Sequence, residues 1–476
     1  MINSFVLLAA ATLAVDFNEE VGKVRQELHS SGFCPTICSC SEQNIADIRA
    51  MGFHSARTHD WALINPNQRV CDWHHIFPLP EKDAGDPSNY YFDATDYLLQ
   101  RSRELMGHDL FFRLGTSIEH SGTNYHFNAN VPKDFDKVAD VFAGTVRHYN
   151  RGWANGFDWG IKYWEIWNEP DGVDNMWFDR ELSNGGDAGR EKLKRKFAVL
   201  YAKCIKRMKD EFGDSIKVGG PALCWMNVEY FTALHEECER LGVKPDFISW
   251  HSYNEDPRSM LGAINTARKM CDGFGWKDCE LVLNEWHYFS YSDYDWLKLR
   301  SSDPETVKRI WSGPRSHNGI DSSCFNLAVL AGFQYSDLAL GFYYGCGKVG
   351  SWGYMDQQQR KYKIFYGLCM FGDFLKLGCD VLCKSGCFDP EGAPILSAVA
   401  AKSADGKKRA LLVSDYRVRT KEIVIDVAGV PADAKVKAEV HDYTRDRAPA
   451  EFTFNDGKLT LVKPDEESSA WLITFE

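Results

Sequence analysis

Residues 161–170 read Ile-Lys-Tyr-Trp-Glu-Ile-Trp-Asn-Glu-Pro. A short run rich in Ile, Tyr and Trp suits a strand, since branched and aromatic side chains pack well on a pleated surface. The run breaks off at the polar group Asn168-Glu169-Pro170. Before it lies Phe135–Tyr149 and after it Glu191–Phe212, stretches whose apolar residues recur at three and four positions, as in the outer helices of a barrel. A strand, a loop and a longer helix therefore alternate, which is the pattern of an α/β fold with parallel strands.

Moving outward, the same alternation predicts eight strands in order: Leu28–Phe33, His54–Arg57, Leu110–Leu114, Ile161–Trp167, Ile216–Gly219, Phe247–Trp250, Leu281–Leu283 and Leu338–Tyr344. A further helix is expected at Glu42–Met51. Eight such strands close a (β/α)₈ TIM barrel, assigned to residues 15–378. After about Gly378 the pattern changes. Arg409–Val413, Glu422–Val427, Lys435–Val440 and Ala470–Phe475 alternate like half-buried strands, and Asp-Gly turns at 405–406 and 456–457 divide them. Residues 379–476 are read as an antiparallel, β-sandwich-like accessory domain docked rigidly on the barrel, with Val15–Val24 adding a strand.

Composition sets the broad class. Hydrophobic residues make up 44% and charged residues 26% of 476, a globular balance. The net charge of −12, with no Lys/Arg-rich stretch, excludes a nucleic-acid partner. The apolar run Phe5–Val15 is too short to span a bilayer. With Ala9, Ala10, Ala11 and Ala14 it reads as the core of a signal peptide over residues 1–14, which implies a secreted or periplasmic protein. A capping strand in a cytoplasmic protein is the alternative, since no Lys or Arg precedes the run. The clusters Cys34/Cys38/Cys40 and Cys379/Cys383/Cys387 lack Cys-x-x-Cys spacing, so no zinc knuckle is visible. Most cysteines are read as small buried residues.

Unusual polar residues gather at the ends of predicted strands: Arg57-Thr-His59-Asp60-Trp61, Ser117-Ile-Glu119-His120, Trp167-Asn168-Glu169-Pro170, His251-Ser-Tyr253 and Asn284-Glu285-Trp286-His287. In a barrel these ends surround one pocket. Glu169 and Glu285, on strands four and seven, face each other across it. Cleaving a glycosidic bond needs a proton for the leaving oxygen and a carboxylate facing the anomeric carbon, so this pair suits that reaction. The aromatic content of 13% fits a carbohydrate partner, because the C–H face of a sugar ring stacks on aromatic rings. Trp352, in Gly350-Ser-Trp-Gly, is the candidate stacking platform, and Trp286 a further substrate-binding candidate. Glu165, roughly 13 Å deeper on the same strand at ~3.3 Å per residue, is read as structural, with Arg57 or Arg113 as partner.

The sequence Trp167-Asn168-Glu169-Pro170 resembles the acid/base motif of the clan A glycoside hydrolases, and Asn284-Glu285 resembles their strand-seven nucleophile. Arg57-x-His59 with His251-x-Tyr253 narrows the resemblance to glycoside hydrolase family 39, the family of β-xylosidases and α-L-iduronidases. It covers residues 15–476. The resemblance implies a retaining, exo-acting enzyme with Glu169 as general acid/base and Glu285 as nucleophile. Asn168 would bond the sugar 2-hydroxyl, Tyr253 would steady Glu285, and Arg57, His59 and His251 would line the subsite. No cofactor or metal is called for, and the expected partner is an oligosaccharide or a polysaccharide-derived substrate. A neutral β-glycoside is the first reading of the sugar. An iduronidase-like site would need a cation for the sugar carboxylate, and Lys348 and Arg57 are the candidates. Two other readings compete: a metal-dependent barrel hydrolase drawing on His59, His120, His251 and His287, and a carbohydrate-binding barrel that has lost catalysis.

Overall fold

The computed structural model describes residues 8–32, 41–59, 70–107, 109–116, 130–172, 176–289, 313–345, 347–349, 353–356, 358–388, 395–418, 420–463 and 467–476. Its strands, in chain order, are β1 (Leu8–Lys23), β2 (Ser30–Ser31), β3 (Ser55–Arg57), β4 (Asp109–Leu114), β5 (Tyr163–Ile166), β6 (Lys217–Leu223), β7 (Phe247–Asn254), β8 (Glu280–Tyr288), β9 (Leu338–Tyr343), β10 (Gly347–Val349) and β11 (Gly353–Met355). They continue as β12 (Val381–Ser385), β13 (Cys387–Phe388), β14 (Ile395–Lys402), β15 (Arg409–Tyr416), β16 (Thr420–Ala428), β17 (Val436–His441), β18 (Asp446–Pro449), β19 (Phe452–Asn455), β20 (Lys458–Val462) and β21 (Ser469–Phe475).

Strands β2 to β9 close a parallel eight-stranded barrel in sequence order. All eight expected strands are present. The first is shorter than expected, because Leu28 falls in a 3-10 turn at Gln26–Leu28. The helices between them bury one side on the barrel. In Phe135–Arg151 the buried set includes Val138, Val141, Phe142, Val146 and Tyr149, which recur at helical spacing. That helix is capped by Asp134, whose side chain accepts from Lys137 N, and it stops at Gly152 with φ of 66°.

The second core belongs to an eleven-stranded sheet in the order β18-β17-β21-β15-β14-β12-β1-β16-β20-β19, with β13 alongside β14. Only Ala450 and Glu451 separate β18 from β19, at opposite edges. The sheet therefore folds over on its apolar face, enclosing Leu411, Val413, Ile423, Trp471 and Ile473. The strand expected over Val15–Val24 is present but begins at Leu8. Ala11, Leu13, Val15 and Phe17 alternate into this core, so Ala11 and Leu13 of the segment read as a signal peptide contribute to it. The sheet is antiparallel except where β1 runs parallel to β16. Of the cysteines whose side chains are described, Cys224 is half-buried and Cys71, Cys204, Cys238, Cys271, Cys279, Cys324, Cys369, Cys379 and Cys383 are buried.

Candidate active site

Five barrel strands deliver side chains to one end of the barrel, and two local irregularities decide which. A regular strand alternates its side chains between faces. The β7–β8 ladder breaks that rule: Trp250 pairs with Leu283 but His251 pairs with Glu285, leaving Asn284 as the extra residue of a bulge. Asn284 and Glu285 consequently both face inward. After β5 the backbone turns through positive φ at Trp167 (76°) and Glu169 (46°). Trp167 swings out to bond Met176 O through Nε1 at 2.7 Å, while Asn168 and Glu169 turn in. Gly115, at φ of 132°, permits this turn, because a Cβ there would lie 3.1 Å from the Trp167 Cα.

Beneath the pocket lies a buried polar layer. Arg57 Nε donates to Glu165 Oε2 at 2.7 Å, and Glu165 Oε1 accepts from Ser249 Oγ at 2.7 Å and Asn284 Nδ2 at 2.8 Å. Glu165 is thus structural, as its depth predicted, with Arg57 as its cation. Arg113 Nη2 donates to Thr116 O at 3.0 Å. Arg57 has no exposed surface. It also donates to Asn168 Oδ1 at 2.7 Å and to Glu285 Oε2 at 3.4 Å. The expectation that Arg57 lines the subsite is therefore corrected: it lies behind the functional groups and orients them. Because Asn168 Oδ1 is taken by Arg57, the amide is fixed with its N–H end as the remaining donor.

Above this layer Glu285 and Glu169 meet. Tyr253 donates to Glu285 Oε1. His59 Nε2 and His251 Nε2 each lie 3.6 Å from Glu285 Oε2. The other nitrogen of His251, Nδ1, is 2.8 Å from Glu169 Oε1, so one imidazole bridges the two carboxyls. One oxygen of each glutamate and one His251 nitrogen lie within 4.8 Å of one another. Burial alone would raise the Glu285 carboxyl. The charges of His251, His59 and Arg57 outweigh it and hold Glu285 well below the usual carboxylate range. Burial and the Glu285 charge push the Tyr253 hydroxyl well up, so it remains a donor. Glu169 differs from its partner: its side chain is 26% exposed, against 8% for Glu285.

Of the residues singled out in the sequence, Arg57, His59, Asn168, Glu169, His251, Tyr253 and Glu285 converge. Trp286 does not. It is fully buried and packs edge-on against Phe333 of an outer helix and against Tyr343. The reason is its position next to an inward-facing Glu285 on a strand. Trp352, Asp60, Trp61, Glu119 and His120 lie outside the described residues, as does the side chain of Lys348. Sequence reasoning missed Ser249 and Tyr344, whose ring lies 5.7 Å from His59 and 6.2 Å from Tyr253. It also missed Asp171, which accepts from Cys224 N at 2.9 Å and ties the loop after β6 to the one after Glu169. No motif marks these residues. Beside that loop is a cavity of about 680 Å³ lined in part by Pro170, Asp171, Gly172, Asn227 and Tyr230.

Among the described residues, the group that could hold a metal is Glu169, His251 and Glu285. The donor types suit a divalent ion, but the setting does not, because the permanent cation of Arg57 lies 3.4 Å from Glu285 Oε2 and would repel it. His287, another histidine of the metal reading, is turned to Tyr343 Oη at 2.5 Å and Tyr288 O at 2.7 Å.

Comparison with known proteins agrees with this geometry. The chain is 30% identical over 212 residues to a β-xylosidase of Geobacillus stearothermophilus, a match covering 40% of this chain and 38% of that protein. It is 27% identical over 220 residues to a β-xylosidase of Caldicellulosiruptor saccharolyticus, covering 43% and 38%. The matched region thus spans 38% of the length of each curated relative. Among solved structures, a glucosidase from Croceicoccus marinus superposes with a TM-score of 0.70 at 17% identity, over 98% of this chain and 100% of that one. The GH39 enzyme from Xanthomonas axonopodis pv. citri gives 0.64 at 14%, over 100% and 99%. At these identities the structural likeness speaks for the fold. The model of glycosyl hydrolases family 39 matches residues 12–272, more than half of the chain and the part that carries Arg57, Glu169 and Tyr253. The chain belongs to glycosyl hydrolases family 39.

Proposed function

We propose that this protein is a retaining glycoside hydrolase with Glu285 as nucleophile and Glu169 as general acid/base. The observation that carries the reading is the carboxylate separation. Oxygens of the two glutamates lie within 4.8 Å. Retaining enzymes place their carboxyls about 5–5.5 Å apart, whereas inversion needs about 6.5–9.5 Å to admit a water.

The environments divide the two roles. Glu285, buried and surrounded by positive groups, is held ionised and ready to attack. In the first step it bonds the anomeric carbon as the C–O bond breaks, and Glu169 gives its proton to the leaving oxygen. In the second, Glu169 takes a proton from water, the water oxygen attacks the same carbon, and the bond to Glu285 breaks. The partial exposure of Glu169 suits exchange with water between steps. Asn168, fixed by Arg57, is oriented to donate to the sugar 2-hydroxyl, where the bond strengthens as oxocarbenium charge develops.

The sugar reading is a neutral β-glycoside removed from a chain end, β-xylosidase-like, from an oligosaccharide or polysaccharide-derived substrate. The names of the two curated relatives support it. So does the burial of Arg57, whose guanidinium is already shared among Glu165, Asn168 and Glu285 and has no exposed surface to offer a sugar carboxylate. The test is a panel of aryl β-glycosides and an aryl α-L-iduronide, with proton NMR of the first product. The expected result is turnover of a neutral β-glycoside, with the β-anomer released first. Turnover of the iduronide alone would overturn the sugar reading. Initial release of the α-anomer from a β-glycoside would overturn the retaining mechanism.

A further inference from the structure

The turn that follows β15 brings the accessory domain to the strands that carry the candidate nucleophile. Arg417, at φ of 59°, closes that turn. Its Nη2 donates to Tyr288 Oη at 2.7 Å and its Nε to Asp321 Oδ2 at 2.8 Å, while Nη1 lies 3.5 Å from Glu255 Oε2. The guanidinium also stacks 4.9 Å over the Tyr416 ring. Tyr416 Oη donates to Glu255 O at 2.7 Å, and Ser468 Oγ holds the second Asp321 oxygen at 2.6 Å. Asp321 opens the outer helix Ile320–Gln334. One accessory turn therefore grips two barrel strands and a helix.

The gripped residues are placed with respect to the chemistry. Tyr288 is the last residue of β8, three beyond Glu285, and Glu255 follows β7, two beyond Tyr253. The ladder pairs Tyr253 with His287 and Asn254 with Tyr288, so the grip lies at its final rung. The Tyr253–Glu285 hydrogen bond joins the same two strands. Above the bulge at Asn284, the register of this short ladder end decides where Glu285 points.

We propose that Arg417 is a positioning residue for Glu285, holding the ends of β7 and β8 in register and thereby the Tyr253–Glu285 contact. The inference rests on the reading of Glu285 as nucleophile. Among the described residues, Arg417 contacts Tyr288, Asp321 and Glu255 and none of the groups facing Glu285, which are Arg57 and His59 on the β3 side, Glu169 after β5, and His251 and Tyr253 on β7. A second arginine supplies the comparison. Arg447 also joins the accessory sheet to the barrel, through Asp373 at 2.7 Å, but it does so on the outer helix Lys363–Leu375.

The test compares Arg417→Met and Arg447→Met in the full chain, with Arg417→Lys and Tyr416→Phe as milder changes. Both methionine variants should melt earlier. Only Arg417→Met should speed amide hydrogen exchange over residues 284–288. It should also lower kcat about tenfold with little change in KM, as expected for a misplaced reacting group, and move the acid limb of kcat/KM upward. Arg417→Lys should restore part of each effect, and Tyr416→Phe should show a smaller loss of the same kind should Arg417→Met fail to fold. Equal exchange over 284–288 and equal acid limbs in the Arg417 and Arg447 variants would reduce Arg417 to a docking contact. Faster exchange in Arg417→Met with no effect on catalysis would instead count against Glu285 as nucleophile.

Discussion

Replacing Tyr253 by Phe tests the site at one atom. Among the described residues, Tyr253 is the hydrogen-bond donor to Glu285 Oε1; Arg57, His59 and His251 approach the other oxygen, at 3.4–3.6 Å. A hydrogen bond to a charged group is worth about 1.5–3 kcal/mol, so its complete loss corresponds to roughly 10- to 150-fold. The two steps should not share that loss. In the first, Glu285 gives up charge to the sugar, and the bond from Tyr253 weakens on the way to the transition state. In the second, charge returns to Glu285 as the sugar leaves, and the bond strengthens. Only an interaction that grows toward the transition state accelerates a step. Tyr253→Phe should therefore slow the second step by up to about a hundredfold and spare the first. With an activated aryl glycoside, stopped-flow should show a burst of phenol followed by slow turnover, with kcat and KM falling together. The acid limb of kcat/KM should also rise, because a group that keeps Glu285 ionised has gone. Turnover within threefold of the wild type, with no burst and an unmoved acid limb, would refute this reasoning.

The remaining predictions concern the partner glutamate, metals and acid stability. Glu169→Ala should lose about 10²–10⁴-fold on a poor leaving group but far less on a dinitrophenyl glycoside, which needs no proton; azide should partly rescue it, and equal losses on both substrates would remove Glu169 from the acid role. Dialysis against a chelator should leave turnover intact, and a large loss reversed by one divalent ion would contradict the two-carboxylate account. Burial holds His29, His287 and His441 down to about 4 from 6.5. Their contribution to stability is full above about pH 6.5 and is lost as pH falls through 4, at most about 3 kcal/mol for each histidine. Buried Asp415, pushed up to about 6, works in the opposite direction. Urea unfolding should show stability falling between pH 6.5 and 4.5, and a flat profile would show that these histidines do not control it.

How much of this was legible in the sequence depends on whether local pattern or tertiary contact fixed it. The barrel was legible because each strand and helix buries one side, so apolar period reports the element directly. Glu165 was legible for the same reason, as an inward position deep on a strand. The bulge at Asn284 and the positive φ at Trp167 and Glu169 were not, because nothing in a period of two announces where alternation fails. Reading Trp286 as substrate-binding ignored the alternation that does hold there and turns it to Phe333. Arg57 was named both as a partner for Glu165 and as a subsite residue, and the choice between the two depends on how far the side chains of β3 and β5 reach past β4, which no local pattern reports. Ser249 carries no motif, and its role follows from pointing at Glu165. The strand at Leu8–Lys23 depends on a sheet assembled almost 400 residues later in the chain, a distance across which no local rule operates.

The proposed double displacement passes through a covalent bond between the sugar and Glu285. A 2-deoxy-2-fluoro aryl β-glycoside with a good leaving group slows both steps, but the second more than the first, so the intermediate should accumulate. Peptide mapping of the inactivated enzyme should place the label on Glu285, in the peptide containing Leu283-Asn284-Glu285-Trp286. A label on another carboxylate, such as Glu119, or turnover of the fluoro sugar without any covalent adduct, would contradict the assignment of Glu285 as nucleophile.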